Sequence, residues 1–463
     1  MEEQLWKACS DGEVQVVQEL LKNPQIDINW QDPELKRTPF YRACGYSGNI
    51  EIVNLFLNDS RVDINKETRE GTTPFWIACQ QGHIGIVKLL LNDERIDLNK
   101  TNRSYETPFY IACDEGYNEI VKLLLNDNRV DINKATRQGT TPLWIACQEG
   151  YTETVKLLLN DERVDLNKAD KNNVTPFWTA CQNGNTDIVK LLLNEENIGV
   201  NKAMVGDITP FWCACYKGRT DIVKLLLNDK RIDVNKGNYE GVTPFYIVCS
   251  RGRTKIVKLL LNDERVDINK TNNDNETPFY ISCENGYPAI VKLLLSDKRV
   301  DINQESNNGW TPFYIACKSG FTEIVKLLLN DKRIDINKTM NDSFTPFYIA
   351  CENGLTEIVE LILASGREVN LTEKNVFGKT VIDVAKIEIV KLLESFENNP
   401  NEIRTKLRIK LGFAGKNKFL FQFFYFFLKK NHYLIVVFFI KDFKAASIYS
   451  VIVLLSDHYL DFK

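Results

Sequence analysis

Histidine is almost missing from this chain: 463 residues contain three, His83, His432 and His458. The first follows a turn glycine and the other two lie near the C-terminus, so nothing converges as a shared proton or metal site would require. Gly-rich phosphate loops, a serine nucleophile elbow and paired acidic motifs are also missing. Cys213-Ala214-Cys215 is the one close cysteine pair, and it stands alone without a zinc spacing. The expectation is a protein that is not an enzyme, with no cofactor and no metal.

Other scarcities bear on location. The chain opens Met1-Glu2-Glu3-Gln4-Leu5-Trp6, without a basic, apolar, small-residue leader. A cytoplasmic protein is expected, with the nucleus as the other open compartment. A transmembrane helix needs about 20 apolar residues, whereas Lys429-Lys430-Asn431-His432 splits the most apolar stretch. A net charge of −4 gives no whole-molecule attraction to nucleic acid, and none is expected as a partner.

What the chain has in abundance is repetition. The phrase Thr-Pro-Phe-(Tyr/Trp) recurs with prolines at Pro39, Pro74, Pro108 and onward to Pro346, every 34 residues after Pro74, with Leu143 in place of Phe after Pro142. Threonine is a good N-cap and proline suits the first helical position, so each phrase starts a helix. Phe, Ala and Cys then fall at i, i+3 and i+4, one buried stripe, and a glycine such as Gly82 stops the helix. A second apolar helix follows, as in Thr322 to Leu329. An extended segment such as Ile334-Asp335-Ile336-Asn337 leads through a polar tip to the next Thr-Pro. One such unit cannot bury its own apolar face, so neighbours must stack.

The cysteines follow the same period: Cys44, Cys79, Cys113 and on to Cys351 each stand five residues after a proline. Stacked helices lie about 8–10 Å apart, and a disulfide needs Cα atoms within about 4.4–6.8 Å. The ladder is therefore read as small buried hydrophobes, in keeping with a reducing compartment. Cys213, outside the ladder, is expected on the groove face as a fast-reacting thiol.

These phrases resemble the ankyrin-repeat family, whose hallmark is Thr-Pro-Leu-His followed by two small residues. The resemblance implies an all-α repeat fold, an ankyrin-type solenoid of about twelve helix–turn–helix units with hairpin loops. Leu5-Trp6-Lys7-Ala8-Cys9 opens a first unit without Thr-Pro, and Thr380 to Ala385 opens a shortened last one. Atypical ends are what capping repeats require. Three features depart from the family. The unit is one residue longer, the family's histidine is Tyr or Trp throughout, and the glycine after the second helix is missing. An Asn-Asp pair such as Asn92-Asp93 is expected to take the left-handed cap instead.

The expected domains are the solenoid over 1–395, a basic helix over 396–414, a Phe/Lys-rich insertion over 415–442 and a short C-terminal helix over 443–463. For the insertion three readings compete: a transmembrane span, a membrane-surface hairpin, and translated intron sequence or a poorly ordered tail. The last is favoured, and membrane contact is expected only through 415–463.

The resemblance implies a scaffold or adaptor that holds a protein partner on the concave face, through hairpin tips and inner helices. The residues that vary between units are the ones to read that partner. The position two after Phe, reckoned to face the groove, is Ile in most units but Lys7, Arg42, Thr179 and Cys213 in the others. Units seven and eight carry Lys217, Arg219, Arg251, Arg253 and Lys255, expected to form one basic strip with the tip residues Met204 and Tyr239 beside it. Trp310 and Phe344 add apolar tips. An acidic segment with one apolar anchor suits such a strip, bound by a monomeric chain. The rival reading is a membrane-associated protein anchored by its apolar tail.

Overall fold

A computed structural model of the protein describes residues 1–340 and 344–413. The expected insertion at 415–442 and helix at 443–463 lie outside the described residues. The chain divides into two compact units, Met1–Ile315 and Ala316–Lys463.

Helices come in antiparallel pairs. Those of the first unit run from Glu2–Asp11 with Val14–Leu21 to Pro278–Glu284 with Pro288–Ser296. The second unit holds Thr322–Leu329, Pro346–Glu352 with Thr356–Ser365, Val381–Val384 with Ile387–Asn398, and a further helix, Pro400–Lys410. Pro312–Ser319 begins in one unit and ends in the other. Twelve pairs are present among the described residues, with an isolated bridge between Met204 and Ile208 as their sole β pairing.

The Thr-Pro phrase works as its chemistry dictates. Thr209 Oγ1 accepts a hydrogen bond from the Trp212 amide at 3.1 Å, and Pro210, which has no amide to satisfy, takes the first turn. Phe211, Ala214 and Cys215 behind it are fully buried. The aromatic that follows Phe reaches forward to the next repeat. Trp212 Nε1 donates to Val242 O at 2.8 Å, Trp178 Nε1 to Ile208 O at 3.0 Å and Tyr246 Oη to Glu276 at 2.9 Å. Most of the series thus forms an inter-repeat hydrogen-bond row with an apolar body.

The spacing from Pro39 to Pro74 is 35 residues. The extra residue sits in the inner helix, where Ala43–Ser47 opens into a π-turn. There the next inner helix packs so close that a Cβ on Gly45 would stand 2.4 Å from Ile77.

One expectation about the outer helix fails. Asn92 is right-handed, with φ −80° and ψ −9°, so Asn92-Asp93 is no left-handed cap. An arginine from the following repeat caps the helix instead: Arg129 Nη2 donates to Leu91 O at 2.7 Å. That arginine is held in turn by Asp127, Nη2 to Oδ2 at 2.6 Å. The same Asp-x-Arg clamp recurs, for example at Asp229–Arg231 on Leu193 O and Asp263–Arg265 on Leu227 O. Its hydrogen bonds hold these aspartates below the usual carboxylate range.

The segment read as extended is a run of turns. Its asparagine bonds both peptide groups of the next repeat: Asn235 Nδ2 donates to Arg265 O at 2.6 Å, and the Asp267 amide donates to Asn235 Oδ1 at 2.8 Å. Asn65, Asn99, Asn133, Asn201 and Asn269 do likewise. At the hairpin tips one residue must be left-handed. It is glycine at Gly71, Gly139, Gly241 and Gly309 but Tyr105, Asn173, Asp207 and Asn275 in the units between.

All twelve cysteines are buried and free. Burial pushes the ladder thiols up, and Cys213 up to about 12. Cys213 is 3 % exposed, so it is not a groove-face thiol. A bulky disulfide reagent is expected to label none of the twelve rapidly in the native protein and all of them in denaturant. Fast native labelling of Cys213 would contradict this packing.

Candidate partner-binding surface

Each inner helix is packed on both sides, which decides where the variable residues lie. Phe faces the paired outer helix, while the residue two further on packs against a neighbouring inner helix, as Ile77 does at Gly45. Thr179 and Cys213 are accordingly 2 % and 3 % exposed, not on the groove face. Cys213 closes a cluster with Val174 and Trp178, against which Trp144, Met204 and Ile208 pack. Two polar atoms here, Thr179 Oγ1 and Trp144 Nε1, are buried without a hydrogen-bond partner among the described residues.

Lys217, Arg219, Arg251, Arg253 and Lys255 are all exposed, at the end of the inner helices and the turn beyond. Tyr216, which the sequence reading passed over, organises several of them. Its ring stacks on Trp212 at 5.4 Å between centroids and 14°. The Arg251 guanidinium lies 4.6 Å from that ring and donates Nη2 to the Tyr216 hydroxyl at 3.1 Å. Lys217 Nζ stands 5.7 Å from the same ring. Arg219 covers the turn at Gly184 and donates Nε to Gln182 O at 3.1 Å; Arg253 covers the turn at Gly218. Three of the five cations, Arg219, Arg251 and Arg253, are therefore tied across repeats. Lys255 sits two residues after Arg253 in the first turn of the outer helix Thr254–Leu261.

The tips are elsewhere. Hairpins precede the N-terminus of the inner helix and the basic residues follow its C-terminus, so an eight-residue helix such as Pro210–Lys217 separates them by about 12 Å. Met204 and Tyr239 are not beside the strip. Met204 is half-buried in the Cys213 cluster, whereas Val205 and Tyr239 are 64 % and 67 % exposed. Consecutive tips are joined by backbone bonds, Val205 N to Asn172 O at 3.0 Å and Tyr239 N to Gly206 O at 3.1 Å. Trp310 stacks on Tyr314 at 5.7 Å, and Phe344 meets Tyr348 edge-on at 4.9 Å. Both are half-buried covers of their own inner helices.

Profile comparison decides the lineage. A model for ankyrin repeats in three copies matches residues 5–102, 94–170, 153–238, 214–306 and 298–373. The chain belongs to the ankyrin-repeat family. No curated protein shows significant sequence similarity to it. Among 532 matching chains of solved structures is the ankyrin repeat domain of Bcl-3, a member of the IκB family. That domain is 21% identical, with a TM-score of 0.43 over 47% of this chain and 98% of its own. Ankyrin repeats are in general protein–protein interaction modules.

Among the described residues of this ankyrin protein, no group of three or more His, Cys, Asp or Glu could hold a metal, and no helix is long and apolar enough to cross a membrane. Acidic residues crowd around Asp114 in units four and five. Asp114 is raised to about 6, first by burial and then by the charges of Glu115, Glu149 and Glu106. A carboxyl raised on folding stabilises the fold fully below about pH 4, its unfolded value, and loses that contribution as pH rises through about 6. Asp114→Asn should therefore raise the melting temperature at pH 8 and leave it unchanged at pH 3.5. A thermal shift independent of pH would show that Asp114 is not strained by charge.

Proposed function

We propose that this ankyrin protein is an adaptor whose partner lies along the inner-helix and hairpin side, engaged chiefly at units seven and eight. The observation that carries the reading is the cationic strip of Lys217, Arg219, Arg251, Arg253 and Lys255, with Tyr216 among its members, on a scaffold that otherwise repeats itself. Aromatic and arginine side chains held in place before binding are what interface hot spots use. The partner is an acidic segment with an apolar anchor. Spanning from the strip to Val205 or Tyr239 takes about four extended residues at ~3.3 Å each. Complementary charge raises the association rate, while the anchor at the tips sets the lifetime. Thr179, Cys213 and Met204 shape this surface from beneath, and Trp310 and Phe344 extend the apolar row of tips.

The protein is proposed to act as a cytoplasmic monomer without enzymatic activity. The membrane-anchor reading rests on residues outside those described. Fractionation of the chain with and without 415–463 separates the two, and recovery in membranes that depends on the tail would favour the anchor.

The direct test reverses charge where little structure depends on it. Lys217→Glu with Lys255→Glu should weaken a partner recovered by pull-down at least tenfold with unchanged melting. Lys292→Glu, exposed on the outer helix Pro288–Ser296, should leave it intact. Equal binding by the reversed and parent proteins would place the interface elsewhere. Lys326 is no neutral control, because its ammonium stands 5.2 Å from the Phe413 ring.

A further inference from the structure

Eight arginines of the Asp-x-Arg clamp, from Arg61 to Arg333, each hold an aspartate two residues earlier at 2.6–2.7 Å. Arg367 stands in the same place, 34 residues after Arg333, but the residue two before it is Ser365. The local geometry is kept: the Arg367 amide donates to Ser365 Oγ at 3.2 Å, as the Arg333 amide donates to Asp331 Oδ1 at 3.0 Å. Only the carboxylate is missing. Arg367 Nη2 turns to the carbonyl of Ile334, and Nη1 is buried with no hydrogen-bond partner.

The side chain is not sealed in. Arg367 lines an open cleft of about 510 Å³ together with Asn337, Asn370, Leu371, Phe396 and Arg404. Arg404 enters from the helix Pro400–Lys410, donating Nε to Leu363 O at 3.3 Å and lying 5.6 Å over the Phe396 ring. Glu368 also lines the cleft, its backbone carbonyl taking the Asn337 amide at 3.1 Å. Neither guanidinium is in an ion pair among the described residues. Two cations thus share one cleft, one of them with a desolvated N–H that nothing among the described residues accepts.

We propose that this cleft is a second binding site, for a carboxylate presented by an acidic segment of a partner protein. The guanidinium fork matches a planar carboxylate with two parallel bonds, and it does so eight times elsewhere in this chain. Phe396 and Leu371 supply an apolar wall for the residue beside the acid. The site goes beyond the reading given for units seven and eight and shares no residue with it.

The test uses the full chain and a blocked pentapeptide, acetyl-Ala-Leu-Asp-Leu-Ala-amide, titrated by NMR, with its Asn counterpart and inorganic phosphate as comparisons. The Asp peptide should bind at least tenfold tighter than the Asn peptide and tighter than phosphate. Arg367→Ala should lose at least tenfold. Ser365→Asp restores the residue that eight other repeats carry, so it should fold normally, occupy Arg367 and abolish binding. Lys217→Glu with Lys255→Glu should bind this peptide as the parent does, whatever it does to the partner of the strip. Unchanged binding by Ser365→Asp or by Arg367→Ala, or phosphate bound as tightly as the Asp peptide, would overturn the proposal.

Discussion

An asparagine side chain that bonds both peptide groups of the next repeat, as Asn235 bonds Arg265 and Asp267, fixes the register in which one helix pair sits on another. Apolar stacking alone would tolerate slippage, because Phe, Ile and Leu faces have no preferred partner atom. The amide does have one, and so does the clamp arginine that caps the preceding outer helix. With register set in this way, the Phe row, the cysteine ladder and the Tyr/Trp row fall into line without further instruction. A solenoid is stabilised by such nearest-neighbour terms; here buried apolar faces are joined by polar, directional bonds that repeat from unit to unit.

The helix starts, the number of units and the buried thiols were legible in the sequence because each depends on chemistry within one repeat. Thr-Pro caps its own helix, and Phe, Ala and Cys fall on one face at helical spacing. The clamp was not read, although Asp-x-Arg recurs plainly, because its meaning lies in a carbonyl of the repeat before it. Asn92 was misjudged for the same reason: a helix end that looks uncapped in its own unit is capped from the next. Thr179 and Cys213 were placed on the groove because helical periodicity gives an angle, not a neighbour. An inner helix enclosed on two sides is apolar around most of its circumference. Tyr216 escaped notice because an aromatic at a helix end gains significance only once Arg251 of the following repeat is seen over it.

The proposed sites lie where the pattern lapses. Backbone bonds join tip to tip, as Val205 N to Asn172 O and Tyr239 N to Gly206 O, so a side chain that departs from the consensus sits on a repeated framework. At units seven and eight the departures are cations around a stacked aromatic pair. At Ser365 the departure is a lost carboxylate, and the arginine left behind faces a cleft. A lapse in unit six is different again: Glu195-Glu196-Asn197 replaces Asp-x-Arg, so Leu159, unlike Leu125 and Leu193, receives no clamp arginine.

That lapse offers the most direct test of the account, whose central claim is that repeats are held by side chains bonding one neighbour at a time. Native-state hydrogen exchange on the full chain should be compared with the variant carrying Glu195→Asp and Asn197→Arg. A restored clamp should slow exchange in the outer helices Thr152–Leu159 and Thr186–Leu193 while leaving Ile84–Leu91 unchanged. Exchange that is unaltered in both, or slowed equally along the whole chain, would contradict it.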